Sequence, residues 1–159
     1  MMAGYSINFG KGSIYLNNYI AKKVINQEFR TGLENSKLYG MIGDYSFNLK
    51  EFKNAETAWL NVLKIDSNNL HALNNLAWFY ATCEDKSLRN DQKAYNLALK
   101  ALEIKRVDYV LDTYAEACLV NGYCDKALKA AKEAMEKAGQ NKKEYFNRQL
   151  MRIQEKCNN

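Results

Sequence analysis

The feature that most narrows the fold of this chain is a spacing that returns. Apolar residues fall at Leu38, Ile42, Tyr45 and Leu49, and again at Phe52, Ala55, Trp59 and Leu63. Steps of three and four place each set on one face of a helix. The polar break Asn48-Leu49-Lys50-Glu51 leaves room only for a reversal, so the two helices form an αα-hairpin. Ile42-Gly43 lies 34 residues before Leu76-Ala77, which lies 38 before Tyr114-Ala115. A period of this length marks an array in which each hairpin buries its apolar face against the next. The second hairpin runs through Leu73, Leu76, Ala77 and Tyr80, then Ala94, Ala98, Ala101 and Leu102. The third runs through Leu111, Tyr114, Ala115 and Cys118, then Ala127, Ala131, Ala134 and Met135. The small residues sit where helices meet most closely.

Composition agrees with an all-α fold. Proline is absent and glycine occurs eight times in 159 residues, whereas strand-rich domains recruit both for their turns. A hydrophobic share of 47% beside 26% charged residues is enough to bury one core. The formal net charge of +5 comes from 23 basic and 18 acidic side chains that alternate along most of the chain, the pattern of a mixed surface. The clearest basic excess is at the end, where Lys142, Lys143, Arg148, Arg152 and Lys156 outnumber Glu144 and Glu155.

The aligned residues resemble the tetratricopeptide repeat (TPR) in degenerate form, W-x2-L-G-x2-Y followed by A-x3-F and a closing proline. The first copy supplies Tyr39, Ile42 and Gly43, then Ala55 and Trp59. The second supplies Leu73, Leu76, Ala77 and Tyr80, then Ala94; the third supplies Leu111, Tyr114 and Ala115, then Gly122, Ala127 and Ala131. The phrase from Asn75 to Thr82 is similar to helices common in bacterial TPR proteins, and the likeness covers about two thirds of the chain. Two departures stand out. The closing proline is missing from each copy, with Ser67 and Arg106 in its place. An insertion of about five residues, around Cys83 to Asn90, separates the helices of the middle repeat and is expected to project, with Asn90 or Asp91 capping the next helix.

The resemblance implies a right-handed superhelix, an α-solenoid of about three TPR hairpins within a single domain. The expected divisions are 1–35, an N-terminal helix or degenerate repeat; 36–69, a repeat; 70–107, a repeat with the inserted loop; 108–140, a repeat; and 141–159, a capping helix. In the last segment Phe146, Leu150, Ile153 and Cys157 form one apolar stripe and the other faces carry charge, as a cap requires. In the first, Ser13 to Phe29 reads as a helix packing through Leu16, Tyr19, Ile20 and Val24. Ala21 and Ile25 lie 34 residues before Ala55 and Trp59, while Gly4, Gly10 and Gly12 disfavour a helix ahead of it.

Equipment for catalysis is missing. The chain has no Gly-rich phosphate loop, no His-Glu-x-x-His and no Gly-x-Ser-x-Gly, so no enzyme activity, cofactor or metal is expected. His71 is a lone histidine, and the four cysteines, Cys83, Cys118, Cys124 and Cys157, form no Cys-x-x-Cys pair. They read as ordinary buried thiols; a bond between Cys118 and Cys124 across facing helices is the alternative in an oxidising compartment. No apolar run approaches the roughly 18 residues that span a bilayer, and the start carries no signal-peptide pattern. A cytoplasmic location without membrane insertion is expected, for a full protein or for a domain cut from a larger or membrane-anchored one.

Binding is what a repeat stack provides, because the first helices of successive hairpins line one extended face. TPR proteins usually hold their ligand there. By helical phase the corresponding residues are Lys37, Asp44, Asn48, His71, Asn74, Asn75, Trp78, Tyr109, Asp112 and Glu116. Asparagine amides can bond a peptide backbone, Trp78 and Tyr109 offer aromatic anchors, and the acids favour a protein or peptide with basic side chains. TPR modules that clamp a chaperone's C-terminal carboxylate use lysine, asparagine and arginine. Asn75 matches the central asparagine, but Gly40, Asp44, Tyr109 and Thr113 occupy the other positions, which disfavours that mechanism. The competing readings are a helical-repeat nucleic-acid binder using the basic C-terminal segment, disfavoured by the acids, and an architectural or self-associating segment. No motif specifies an oligomeric state.

Overall fold

A computed structural model describes residues 36–158, and the segment expected to hold the N-terminal helix lies outside them. The described residues form seven α-helices and no strand: α1 Ser36–Asn48, α2 Phe52–Ile65, α3 Leu70–Thr82, α4 Asp91–Ile104, α5 Asp108–Val120, α6 Cys124–Lys137 and α7 Lys143–Asn158. Short 3-10 turns at Lys86–Leu88 and Gln140–Lys142 precede α4 and α7. Each helix packs on the next in sequence, and α3 and α5 also meet each other, as do α5 and α7.

Two hairpins reverse by the same device. After α1, Glu51 N–H bonds the Ser46 carbonyl at 2.9 Å and Lys50 N–H that of Phe47 at 2.9 Å; after α5, Tyr123 bonds Cys118 and Gly122 bonds Leu119. These paired bonds satisfy the last carbonyls of each helix and require a left-handed residue at its end. Gly122 has φ +74° and Lys50 has φ 61°. Glycine adopts that conformation freely, while lysine does so against its Cβ.

Between α3 and α4 the inserted residues replace the tight turn. The inserted loop has an exposed tip and is tied back at its base: Cys83 is buried, Leu88 packs on the core, Asn90 N–H bonds the Tyr80 carbonyl at 3.0 Å, and Arg89 Nε bonds the Cys83 carbonyl at 2.7 Å. Returning these backbone groups to the hairpin satisfies them without water, leaving Glu84–Ser87 as the exposed tip. Asn90 caps α4 by accepting from Lys93 N–H at 2.9 Å, and Asn69 caps α3 by accepting from Ala72 N–H at 3.1 Å. The two positions where the repeat pattern has proline are tied to the following hairpin. Lys100 Nζ bonds the Ser67 carbonyl at 2.6 Å, and the Arg106 guanidinium grips Glu133, with Nε at 2.7 Å.

The core is one continuous cluster running from Ala55 in α2 to Ile153 in α7. Close helix approach uses alanine: Ala55, Ala94, Ala98, Ala101, Ala115 and Ala127 are completely buried. At the α1–α2 contact even alanine is too large. A Cβ on Gly43 would stand 2.4 Å from Cδ1 and Nε1 of the fully buried Trp59. Phe47, Trp59 and Phe79 complete an aromatic cluster there, with ring centroids about 6 Å apart.

Candidate binding groove

Helical spacing puts His71, Asn74, Asn75 and Trp78 on one face of α3, at steps of three, one and three. Asp44 reaches this face from α1. One of its carboxylate oxygens accepts from Trp59 Nε1 at 3.0 Å and from Asn75 Nδ2 at 2.8 Å, and the other lies 3.0 Å from His71 Nε2. The same His71 nitrogen is 3.1 Å from the Asn75 amide. The hydrogen bond to Asp44 raises the His71 pKa above its ordinary 6.5, outweighing the partial burial that lowers it. Asp44 thus joins the face to the core, since its Trp59 partner is completely buried.

Asn74 and Trp78 behave differently from these. The Asn74 side-chain oxygen is buried without a hydrogen-bond partner. One turn on, Trp78 is half-buried. Lys37 and Asn48 are exposed at opposite ends of α1. Tyr109, expected to be an exposed anchor, is half-buried and packs on the core, so its ring contributes to folding first.

Asp112 and Glu116 correct the expectation most clearly. Helical phase put both in the open groove, yet they are 9% and 7% exposed. α7 covers them. Tyr145 Oη donates to Asp112 at 3.0 Å, Arg152 bonds Glu116 with both guanidinium NH groups, and Lys142 Nζ reaches Asp108 at 3.1 Å. Burial, reinforced by the neighbouring Glu116 charge, pushes the Asp112 carboxyl up to about 6 against the pull of Tyr145 and Arg152. Sequence phase alone failed here because it gives a direction around one helix and not what stands opposite. A signal was nonetheless present. The partners lie 33, 36 and 34 residues after the acids, close to the repeat period, so pairing acids with donors one period later would have found them.

The same contacts alter the reading of the basic C-terminal segment. Lys142 and Arg152 neutralise acids of α5, and Arg148 pairs with Glu144 on its own helix at 3.2 Å. Among the groove acids expected from sequence, Asp44 alone keeps substantial exposure, with 41% of its side chain accessible.

The cysteines also depart from expectation. Cys83 and Cys118 are buried thiols, but Cys124 is bonded to Cys157, not to Cys118 and not left free. Cys118 lies in α5 on the core side, whereas Cys124 opens α6 with its Cα 5.6 Å from that of Cys157 near the end of α7, within normal disulfide reach. Among the described residues no group of three or more His, Cys, Asp or Glu side chains is placed to hold a metal, and no helix is long and apolar enough to cross a membrane. Two surface depressions, one bordered by Met135, Glu136, Lys143, Glu144 and Asn147 and the other around Lys50–Asn54, share no residue with the α3 face. Comparison of the chain with family models and with curated proteins finds no significant match in either.

Proposed function

We propose that this chain is a TPR-type α-solenoid, three hairpins in a right-handed superhelix closed by α7, that binds a protein or peptide along the α1–α3 face and catalyses no reaction. The observation that carries this reading is the pair Asn74 and Trp78. A half-buried tryptophan beside a buried, unpaired amide oxygen leaves ring surface and an acceptor unsatisfied, which supports a ligand that covers the ring and donates an N–H. A peptide backbone supplies such donors in series. Asp44, bonded to the adjacent Asn75, adds one accessible negative charge, which favours a lysine or arginine in the ligand. The contact between α3 and α5, the first helices of the second and third hairpins, supports the same reading.

The test is selection of peptides from a random displayed library by the full chain and by Trp78→Ala, with helical content checked by circular dichroism. Removing a central tryptophan anchor costs about 2 kcal/mol or more, so bound peptides should lose at least about thirtyfold in affinity. They should be enriched in basic residues. Equal capture by both proteins sinks the groove assignment. Retention of nucleic acid that vanishes as salt rises instead points to the electrostatic alternative.

A further inference from the structure

Away from the α1–α3 face, the second and third hairpins bring a surface ammonium against a phenol. Lys126, exposed in the first turn of α6, donates from Nζ to Tyr95 Oη of α4 at 2.9 Å. Its ammonium stands 5.1 Å from the centre of the Tyr95 ring and 5.0 Å from that of Tyr123, so both rings and a hydroxyl hold it in place. The rings of Tyr95 and Tyr123 meet edge to face at 5.2 Å. From α5, the Tyr114 hydroxyl also bonds Tyr95, and the Cys118 thiol bonds Tyr114 in turn. Among these described neighbours of the phenol, Lys126 carries the charge. Tyr80 offers a contrast within the same fold. Lys93 stands 5.1 Å over its ring, yet its Oη donates to a Glu56 carboxylate oxygen at 2.6 Å.

A donor aimed at a phenol oxygen favours the phenolate, whereas an acceptor holds the proton on. The Lys126 bond, and after it the Tyr114 bond, lower the Tyr95 pKa from the ordinary 10.0 against the partial burial that raises it. Burial first, and the carboxylates of Glu56 and Asp112 with it, move Tyr80 and Tyr145 the other way. The bond to Tyr95 also raises the Lys126 pKa, so the amine stays protonated and is no nucleophile. We propose that Tyr95 is a nucleophilic tyrosine, a site of covalent acylation by an acyl phosphate, with the Lys126 ammonium receiving the departing phosphate. The cation selects an anionic reagent and steadies an anionic leaving group. A phenolate oxygen has a lone pair to spare after accepting from Lys126 and Tyr114. That pair attacks the acyl carbon, the bond from this carbon to the phosphate oxygen breaks, and phosphate departs with its electrons. It takes up the proton that the phenol released, so the products are an aryl ester and hydrogen phosphate. Tyr95 and Lys126 lie on α4 and α6, so this site is independent of a ligand on the α1–α3 face.

The experiment treats the full chain with acetyl phosphate and maps the acetyl groups by peptide mass spectrometry. Hydroxylamine, which cleaves aryl esters and leaves amides, separates a label on Tyr95 from one on Lys126. Tyr95 should be acetylated at least about fivefold faster than Tyr123, although Tyr123 is the more exposed of the two at 40%. Its rate should rise with pH through an inflection below 10.0. Lys126→Met, at an exposed position, should keep the helical content, lower the Tyr95 rate at least about tenfold and move the inflection up. Lys126→Arg should restore both. Faster labelling of Tyr123 overturns the inference, because access alone would then decide. A hydroxylamine-resistant label on Lys126 in place of the ester overturns it, as does a Tyr95 rate or inflection unchanged in Lys126→Met. Absence of label from Tyr95 overturns it as well.

Discussion

Replacing Gly43 by alanine sets two well-known effects against each other. In an exposed helix the change stabilises by about 1 kcal/mol, because glycine has more backbone freedom to lose on folding. Here the added Cβ would stand 2.4 Å from two atoms of the Trp59 indole and 2.8 Å from a third, so ring or helix must move by about 1 Å to restore ordinary contact. The indole has nowhere to go. It is completely buried, has Phe47 and Phe79 against it, and is fixed at its edge by the 3.0 Å bond to Asp44. Overpacking costs about 1–3 kcal/mol, and weakening a hydrogen bond to a charged acceptor adds about 1.5 kcal/mol. After subtracting the helix gain, Gly43→Ala should destabilise by about 2 kcal/mol, or a drop in Tm of about 4–8 °C for a chain of this size. Urea unfolding gives the free energy, and repeating it in a Trp59→Phe background isolates the ring's part. Phenylalanine keeps a Cδ1 but is the smaller ring and lacks the indole Nε1 with its bond to Asp44, so alanine at 43 should there cost clearly less. An increase in Tm for the single variant, or the same loss in both backgrounds, refutes the close-contact argument.

Other outcomes follow from other sites. Lys50→Gly relieves a left-handed residue at the α1–α2 turn and should raise stability by about 1 kcal/mol in the same urea assay, since its exposed ion pair with Glu84 contributes little. Trp59→Ala should cost about 3–5 kcal/mol and Ala127→Leu about 1–3, and unchanged melting for both would contradict the observed packing. The His71 ring, followed by NMR, should titrate above 6.5 and move down in Asp44→Asn. Because the folded value is raised, the pair's stabilisation is complete below 6.5 and is lost as pH rises through that higher value. Asp112 also binds its proton more tightly when folded, so its contribution makes stability fall as pH rises from 3.8 to about 6. Asp112→Asn, which can still accept from Tyr145, should flatten that part of the unfolding free energy against pH.

Much of this was readable without coordinates. Helical periodicity located the apolar faces, because burial must recur with the turn of the helix; Trp59, Leu76, Leu111 and Phe146 are all core residues. Local capping chemistry narrowed the cap of α4 to Asn90 or Asp91, and Asn90 makes it, since a cap needs only its own backbone neighbours. The face shared by His71, Asn74, Asn75 and Trp78 was likewise set by spacing within one helix. What one helix cannot encode is what stands across from it. The tying back of the inserted loop at its base, the union of Asp44 with Asn75, the covering of Asp112 and Glu116 by Tyr145 and Arg152, and the choice of Cys157 over Cys118 as partner for Cys124 are contacts between elements 31 to 36 residues apart, the loop excepted. Periodicity fixes the direction in which a side chain leaves its helix. Whether it then meets solvent, a carboxylate or a second sulfur depends on how the helices stack, and that is a property of the tertiary structure alone.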